Sequence, residues 1–228
     1  MITLYDLVVQ DDRRPSPFCW RAKFALKHKD LGWRDEPMGF TEKQKIAFAQ
    51  SLTVPVIHDG PTVVKDSWAI AGHLDRAYPD KPLFKDEAAR NHAHFVASWV
   101  DSAVQPALFP ILVGDLYDCV RPVDRPYFQE SRGKRLGTTD FASFQAKARE
   151  QGVAAFRTVL EPARRVLKEQ AFLSGAQPAY PDYALAGAFL WARIVSPLAL
   201  LEADDPIHAW REHMLDLFDG MGRKAKTA

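Results

Sequence analysis

Near the N-terminus, Ser16-Pro17-Phe18-Cys19 brings a hydroxyl, a proline and a thiol together in an order that suits the start of a helix. Serine is a preferred N-cap, and proline fits the first helical position because the N–H it lacks there would be unpaired in any case. Phe18, Ala22, Ala25 and Leu26 follow at i, i+4, i+7 and i+8, which is one apolar helix face. Such a start directs free N–H groups and the positive end of a helix dipole toward Ser16, a setting suited to an anion, including a thiolate. Serine has no accessible ionisation of its own, so Ser16 is expected to stabilise an anion rather than act as a base. Ser16-x-x-Cys19 has the spacing of a redox C-x-x-C pair, but serine stands at the attacking position, and dithiol exchange is not expected. Cys19 reads instead as a small, partly buried apolar residue of the helix.

Other chemistries find little support. The seven histidines form no H-E-x-x-H, and His92 and His94 do not share a helix face, so no metal site is expected. There is no G-x-S-x-G elbow, G-x-G-x-x-G turn or phosphate loop. A net charge of +1 gives no hint of nucleic acid or of an anionic membrane surface. No run of about 18 apolar residues occurs, so no spanning helix is expected. Two cysteines, Cys19 and Cys119, make no disulfide framework. With no secretory pattern at the N-terminus, the expected compartment is the cytoplasm.

The elements that must position Ser16 divide near residue 80. Ile2–Leu7 reads as a strand, followed by a polar loop over 8–15 and the first helix. Trp33–Met38 is a second strand and residues 41–50 a weaker helical segment. Val54-Pro55-Val56-Ile57 and Thr62-Val63-Val64 pair across a turn at Asp59-Gly60-Pro61. Ser67 opens a helix with Ile70, Ala71, Leu74 and Tyr78 on one face. The order β-α-β-α-β-β-α implies a mixed sheet with helices packed on it. Tyr78-Pro79-Asp80-Lys81-Pro82 then serves as a linker. From Glu87 onward only helical spacing is seen. Ala93, Val96, Ala97, Val100 and Val104 form one series, and Val153, Phe156, Leu160, Ala163 and Leu167 another, which Pro162 should kink or split. Tyr180–Val195 is apolar enough to be a central buried helix, and a last helix through Trp210, Met214 and Leu217 ends at Gly220-Met221-Gly222. Residues 114–140 show no clear periodicity and read as a long irregular stretch carrying Cys119.

This layout resembles the soluble glutathione transferases, over nearly the whole chain. Ser16-Pro17-Phe18-Cys19 looks like the family's active-site helix start, Val54-Pro55-Val56-Ile57 like its Val-Pro strand with a cis proline, and Asp66-Ser67 like its Glu/Asp-Ser pair. The runs SPFCWRAKFALKHK, VPVIHDGPTVVKDSWAIAGHLD, LEPARRVL and DLFDG are similar to the bacterial lignin β-etherase type and to related fungal transferases. The resemblance implies an α+β architecture, with a thioredoxin-like, glutathione-binding domain over 1–80 and an all-helical C-terminal domain over 87–228. It further implies a homodimer. Ser16 would be the catalytic residue. Val54, beside Pro55, would offer its N–H and C=O to the cysteinyl part of glutathione in the manner of an added strand. Ser67 would bind the γ-glutamyl carboxylate and Asp66 the ammonium group. Lys43 or Lys45 could meet the glycine carboxylate, although lysines on a polar helix face are commonly just solvated.

A free thiol with a pKa of about 8.5 is only about 3% ionised at neutral pH, and making the thiolate the main species takes about 2.7 kcal/mol of differential stabilisation. A donated Ser16 hydroxyl and the helix N-terminus are suited to supply it. The expected reaction is nucleophilic substitution by glutathione on a small hydrophobic or aromatic electrophile, including release of a phenolate from a β-aryl ether. Reduction or isomerisation of another electrophile is an alternative chemistry, and a non-catalytic ligand-binding or scaffold protein on the same fold is the rival of another class. The second substrate is expected between the domains, above Ser16, with Phe109, Tyr117, Phe189 and the 114–140 stretch as candidate walls. One departure from the family pattern is Ala179-Tyr180-Pro181-Asp182, where the usual capping hydroxyl of the central helix is missing. That loss typically costs about 1 kcal/mol, and Asp182 remains placed to accept a backbone N–H.

Overall fold

A computed structural model describes all residues, Met1–Ala228. Four strands form one mixed sheet in the order β2-β1-β3-β4: β1 Ile2–Leu7, β2 Trp33–Met38, β3 Val56–Asp59 and β4 Thr62–Lys65. β1 runs parallel to β2, with Ile2 opposite Trp33 and Leu7 opposite Met38, and antiparallel to β3, with Leu4 opposite Ile57. Helix α1, Pro17–His28, makes the crossover between β1 and β2, and α2, Ser67–Ala77, follows β4. Residues 41–50 are not an α-helix but a tighter 3-10 segment, Lys43–Ala49, of which only Ile46 is buried. With so little apolar surface to bury, no regular helix is driven to form there. β3 starts at Val56 rather than Val54, since Pro55 has no N–H for the ladder and follows a cis bond from Val54.

β1 alternates buried and half-buried residues, and its third buried position is a charge, Asp6. Lys23 of α1 reaches it at 2.5 Å, with Arg14 at 3.4 Å. Burial lowers the Lys23 pKa, but the adjacent Asp6 carboxylate outweighs it and the net shift is upward. The linker is fastened to α1 by Lys29, whose Nζ donates to the carbonyls of Tyr78, Asp80 and Lys81.

The remainder is helical. α3, Glu87–Trp99, passes through one π-helical turn, Val100–Val104, into α4, Gln105–Cys119. Pro106 and Pro110 each withhold a backbone donor in this stretch, and the wider turn lies directly ahead of them. Together these segments make a 33-residue helix which, contrary to the sequence expectation, is long and apolar enough to cross a membrane. Its apolar side chains Val104, Leu108, Ile111 and Leu112 are buried against the helices around it, which accounts for its composition.

Residues 114–140 are not irregular. α4 continues to Cys119, and α5 occupies Arg125–Leu136, with Pro126 in its first turn and left-handed Gly137 closing it. Only Phe128 and Gly133 of α5 are buried, so its sequence carries almost no apolar periodicity. Pro162 splits the next segment into α6, Phe141–Val159, and α7, Glu161–Leu167. α8, Tyr180–Val195, is buried at every residue but Arg193 and packs along α1. In α9, Pro206–Gly220, helical dihedrals stop before Leu217, earlier than the Gly220-Met221-Gly222 stop expected. Phe218 and Asp219 turn left-handed, and Phe218 packs beside Phe24 and Tyr183.

One apolar core of 50 buried residues runs through both the sheet unit and the helical unit. The architecture is therefore a thioredoxin-like N-terminal domain followed by a helical C-terminal domain, with α1 sandwiched between the sheet and α8.

Candidate active site

Ser16 is the N-cap of α1. Its Oγ accepts the Cys19 N–H at 3.3 Å, and Pro17 occupies the first helical position. The Ser16 hydroxyl donates to nothing in the chain, and the Phe18 N–H likewise has no internal acceptor. Both donors sit at the positive end of the helix, beside a cavity of about 910 Å³ lined by Ser16, Val54, Pro55, Asp66 and Ser67. All five residues singled out in the sequence thus meet in one space.

Their local geometry follows from the chain around them. Val54 precedes β3 and lies outside the ladder, so neither its N–H nor its C=O is bonded within the protein. Asp66 caps α2, with Oδ1 accepting from Trp68 N at 2.9 Å and Ala69 N at 3.0 Å. It does so at φ 76°, a region in which a non-glycine residue is strained. The Ser67 N–H, first in α2, remains unbonded, and Ser67 is itself 97% buried, with 3% of its surface exposed. Three sets of open backbone or hydroxyl donors therefore face the cavity from α1, the Val54 segment and α2.

The position of Ser16 is fixed from behind. A Cβ added at Gly187 of α8 would stand 2.5 Å from the Pro17 carbonyl oxygen, so glycine lets α8 touch the first turn of α1. Arg21, 1% exposed, reaches Asp101 of the π turn with Nη2–Oδ1 at 2.6 Å and Nη1–Oδ2 at 3.2 Å. This bidentate pair ties α1 to the helical domain one turn below Ser16.

A model of the glutathione S-transferase N-terminal domain matches residues 15–77. A model of the glutathione S-transferase C-terminal domain matches residues 92–212, more than half of the chain. The chain belongs to the glutathione S-transferase family. Among curated relatives it is 26% identical to glutathione S-transferase U13 of Arabidopsis thaliana over 136 residues, which is 52% of this chain and 60% of that protein. The chain therefore matches less than two thirds of that relative's length. Its fold is similar to that of glutathione transferase GSTFuA3 of Phanerochaete chrysosporium, with a TM-score of 0.75, 24% identity and coverage of 98% of this chain and 93% of the other. A glutathione S-transferase of Ceriporiopsis subvermispora, solved in complex with glutathione, gives a TM-score of 0.76 at 22% identity, covering 98% and 94%.

In this family member the cavity walls differ in part from those expected. Phe109 lines it and stacks on Trp191 of α8, with ring centroids 6.5 Å apart and 27° between planes. Tyr117 instead packs on Phe128 and Phe141, and Phe189 on Phe156 and Trp210, so both belong to the core. Cys19 is buried; desolvation, reinforced by Asp6, holds its thiol pKa well above the usual value. Cys119, read as lying in an irregular stretch, is the buried last residue of α4, with the Arg13 guanidinium 3.1 Å from its sulfur.

The sequence places residues 114–140 among the candidate walls but does not show the helix, α5, through which they reach the cavity. Tyr127, Arg132 and Arg135 line the cavity from that helix, as does Lys43, whose Nζ donates to Tyr127 Oη at 2.8 Å. The available signal was Pro126 near the start and Gly137 just after the end, the punctuation of a helix, set around a segment with little apolar periodicity. Lys45 points elsewhere, donating to the Pro37 carbonyl at 2.8 Å.

Proposed function

We propose that this family member binds glutathione, ionises its thiol beside Ser16, and delivers the thiolate to a small hydrophobic or aromatic electrophile. The observation that carries the reading is the convergence of open donors on one cavity. The Ser16 hydroxyl and Phe18 N–H suit a sulfur anion, the free Val54 N–H and C=O suit a peptide laid alongside, and the Ser67 N–H suits a carboxylate. Asp66 Oδ2 makes no hydrogen bond within the protein and is left to meet an ammonium group. A volume of about 910 Å³ leaves room for an aromatic partner beside a tripeptide, with Phe109 and Trp191 as apolar walls.

The etherase form of the reaction is part of this proposal, rests on the resemblance of the sequence runs to the β-etherase type, and would use the same site. The thiolate attacks the carbon bearing the aryloxy group, a C–S bond forms as the C–O bond breaks, and the phenolate leaves and takes a proton from water. Assembly as a homodimer belongs to this reading; Phe48, Val63 and Phe95 are large apolar side chains open to water for a second copy to cover.

The test uses the protein and its Ser16→Ala variant with glutathione and a fluorogenic β-aryl ether, following phenol release and the ultraviolet absorbance of bound thiolate. Ether cleavage that falls together with thiolate in the variant supports the whole reading. Thiolate without ether cleavage keeps the transferase and discards the etherase. Tight glutathione binding with neither thiolate nor turnover of any electrophile leaves a binding protein.

A further inference from the structure

The cavity above Ser16 holds more positive charge than the reaction just described uses. Arg132 and Arg135 stand three residues apart on α5, on one face, and both line it. Arg135 makes no hydrogen bond or ion pair, and Arg132 has no carboxylate partner, donating to Ser131 Oγ at 3.0 Å and standing beside the Tyr127 hydroxyl. Arginines close by in the chain are occupied: Arg121 holds Asp124 and Glu42, Arg149 holds Asp115, and Arg125 donates to the Val120 and Asp118 carbonyls.

These two guanidinium groups, neither of them ion-paired, lie against aromatic faces. Arg135 lies 4.7 Å from the Phe109 centroid, and Arg132 lies 5.5 Å from Phe40 and 5.1 Å from Phe128. Stacking leaves the N–H edges of a guanidinium available to a planar oxyanion. The acidic residues lining the cavity do not neutralise them. Asp66 caps α2 through Oδ1 and makes no ion pair with either arginine, its Oδ2 being assigned above to the ammonium of glutathione, and Asp101 is turned onto Arg21. Lys65 is spent on the Gln50 carbonyl and Lys43 on Tyr127. Burial already pulls the Arg132 pKa down from its ordinary value, a penalty that a bound anion relieves.

We propose that Arg132 and Arg135 form an anion subsite for the second substrate, so that the preferred electrophile is an aromatic compound carrying a carboxylate, its ring against Phe109 and Trp191. This deepens the transferase reading and rests on it.

The test compares a chlorodinitrobenzoate with its methyl ester as electrophiles. The two share a reacting carbon, where the C–S bond forms and chloride leaves, and differ in one charge. The readout is the ratio of kcat/KM for the acid over the ester. In the Arg132→Gln/Arg135→Gln double variant, and in Arg135→Glu alone, whose side chain is exposed and leaves folding intact, that ratio is expected to fall by about 10- to 100-fold, the loss expected for charge-assisted hydrogen bonds. An unchanged ratio overturns the proposal. So does an unchanged ratio with a raised KM for glutathione, which assigns the guanidiniums to the glycine carboxylate of the cosubstrate. If the wild-type protein turns over neither electrophile, it is the transferase reading that fails. Calorimetric titration with unreactive dinitrobenzoate then decides the subsite: binding lost in Arg135→Glu supports it, and equal binding by both proteins overturns it.

Discussion

Gly187 of α8 lies against Pro17 of α1 so closely that a Cβ at position 187 would stand 2.5 Å from the Pro17 carbonyl oxygen. The obstructing atom is backbone, so it cannot swing aside as a side chain would. Gly187→Ala must therefore push the first turn of α1 away from α8, and Ser16 moves with it. The overpacking is expected to destabilise by about 1–3 kcal/mol, less the roughly 1 kcal/mol that alanine gains over glycine within a helix. The larger effect falls on catalysis, where displacement of a positioned group lowers kcat/KM by on the order of tenfold or more. Steady-state kinetics on Gly187→Ala, Ser16→Ala and the double variant check this. If the Gly187→Ala loss persists undiminished when Ser16 is already gone, the glycine does not act through Ser16.

Asp66 has two separable duties. One oxygen caps α2 through the Trp68 and Ala69 N–H groups, and the other is free for the ammonium of glutathione. Asp66→Asn keeps the cap and loses the charge, whereas Asp66→Ala loses both. Both variants are expected to raise KM for glutathione by about tenfold, the effect of one hydrogen-bonded charge. Only the alanine variant should also lose about 1 kcal/mol of stability. Denaturant melts alongside glutathione titrations separate the two, and an Asn variant with wild-type KM would remove Asp66 from the binding site.

The parts of the fold legible in the sequence are those whose local chemistry and burial point the same way. α8 emerged with the correct ends because nearly all of it is buried; Ser16 stood out as a cap ahead of a proline, whereas Val54, Pro55, Asp66 and Ser67 were singled out by their resemblance to the family's motifs. α5 did not emerge, since it buries only Phe128 and Gly133 and shows the cavity a cationic face. Distance along the chain hid the rest. Arg21 and Asp101 are 80 residues apart, and nothing local to either announces the pair. Nor does helical spacing distinguish Phe109, which faces the cavity, from Phe189, which faces the core.

Asp182 compensates for the missing hydroxyl at Ala179, and it does more than a cap would. Oδ1 accepts from Leu173 N at 2.7 Å and Trp210 Nε1 at 2.9 Å, and Oδ2 from Ser174 N and Ala179 N, each at 3.2 Å. The carboxylate joins the loop before α8, the start of α8 and the face of α9. Removing it leaves several buried donors unpaired, so Asp182→Ala should cost roughly 4 kcal/mol or more, at the far end of single-substitution effects. Asp182→Asn offers no rescue, because its amide N–H₂ would face two of those N–H groups. Urea unfolding followed by circular dichroism gives the answer; an Asn variant as stable as wild type would show that the four bonds do not act as a set.

The wall that α5 gives the cavity is anchored by a second buried carboxylate, Asp124. Its Oδ1 accepts from Thr41 N at 2.9 Å and Thr41 Oγ1 at 2.6 Å, and Oδ2 from Arg121 Nε at 2.7 Å, while Arg121 also reaches Glu42. Burial pushes the Asp124 carboxyl pKa up, but Arg121 and Thr41 outweigh it and the net shift is downward. Glu42 is lowered as well, first by the Gly39 N–H and then by Arg121 against the opposing effect of burial. An unfolded aspartate titrates at about 3.9 and a glutamate at about 4.3, so the stability these groups contribute is complete above those values and is lost as pH falls through the lower folded values. Asp124→Asn breaks a buried charge pair and should lower Tm at neutral pH by roughly 6–12 °C, corresponding to on the order of 3 kcal/mol. Below about pH 4 the wild-type protein begins to lose the same interaction, so the gap between the two melting temperatures is expected to narrow on acidification. Thermal melts of both proteins between neutral pH and pH 3 measure it. A gap that stays constant would mean that Asp124 does not hold α5 as a charge.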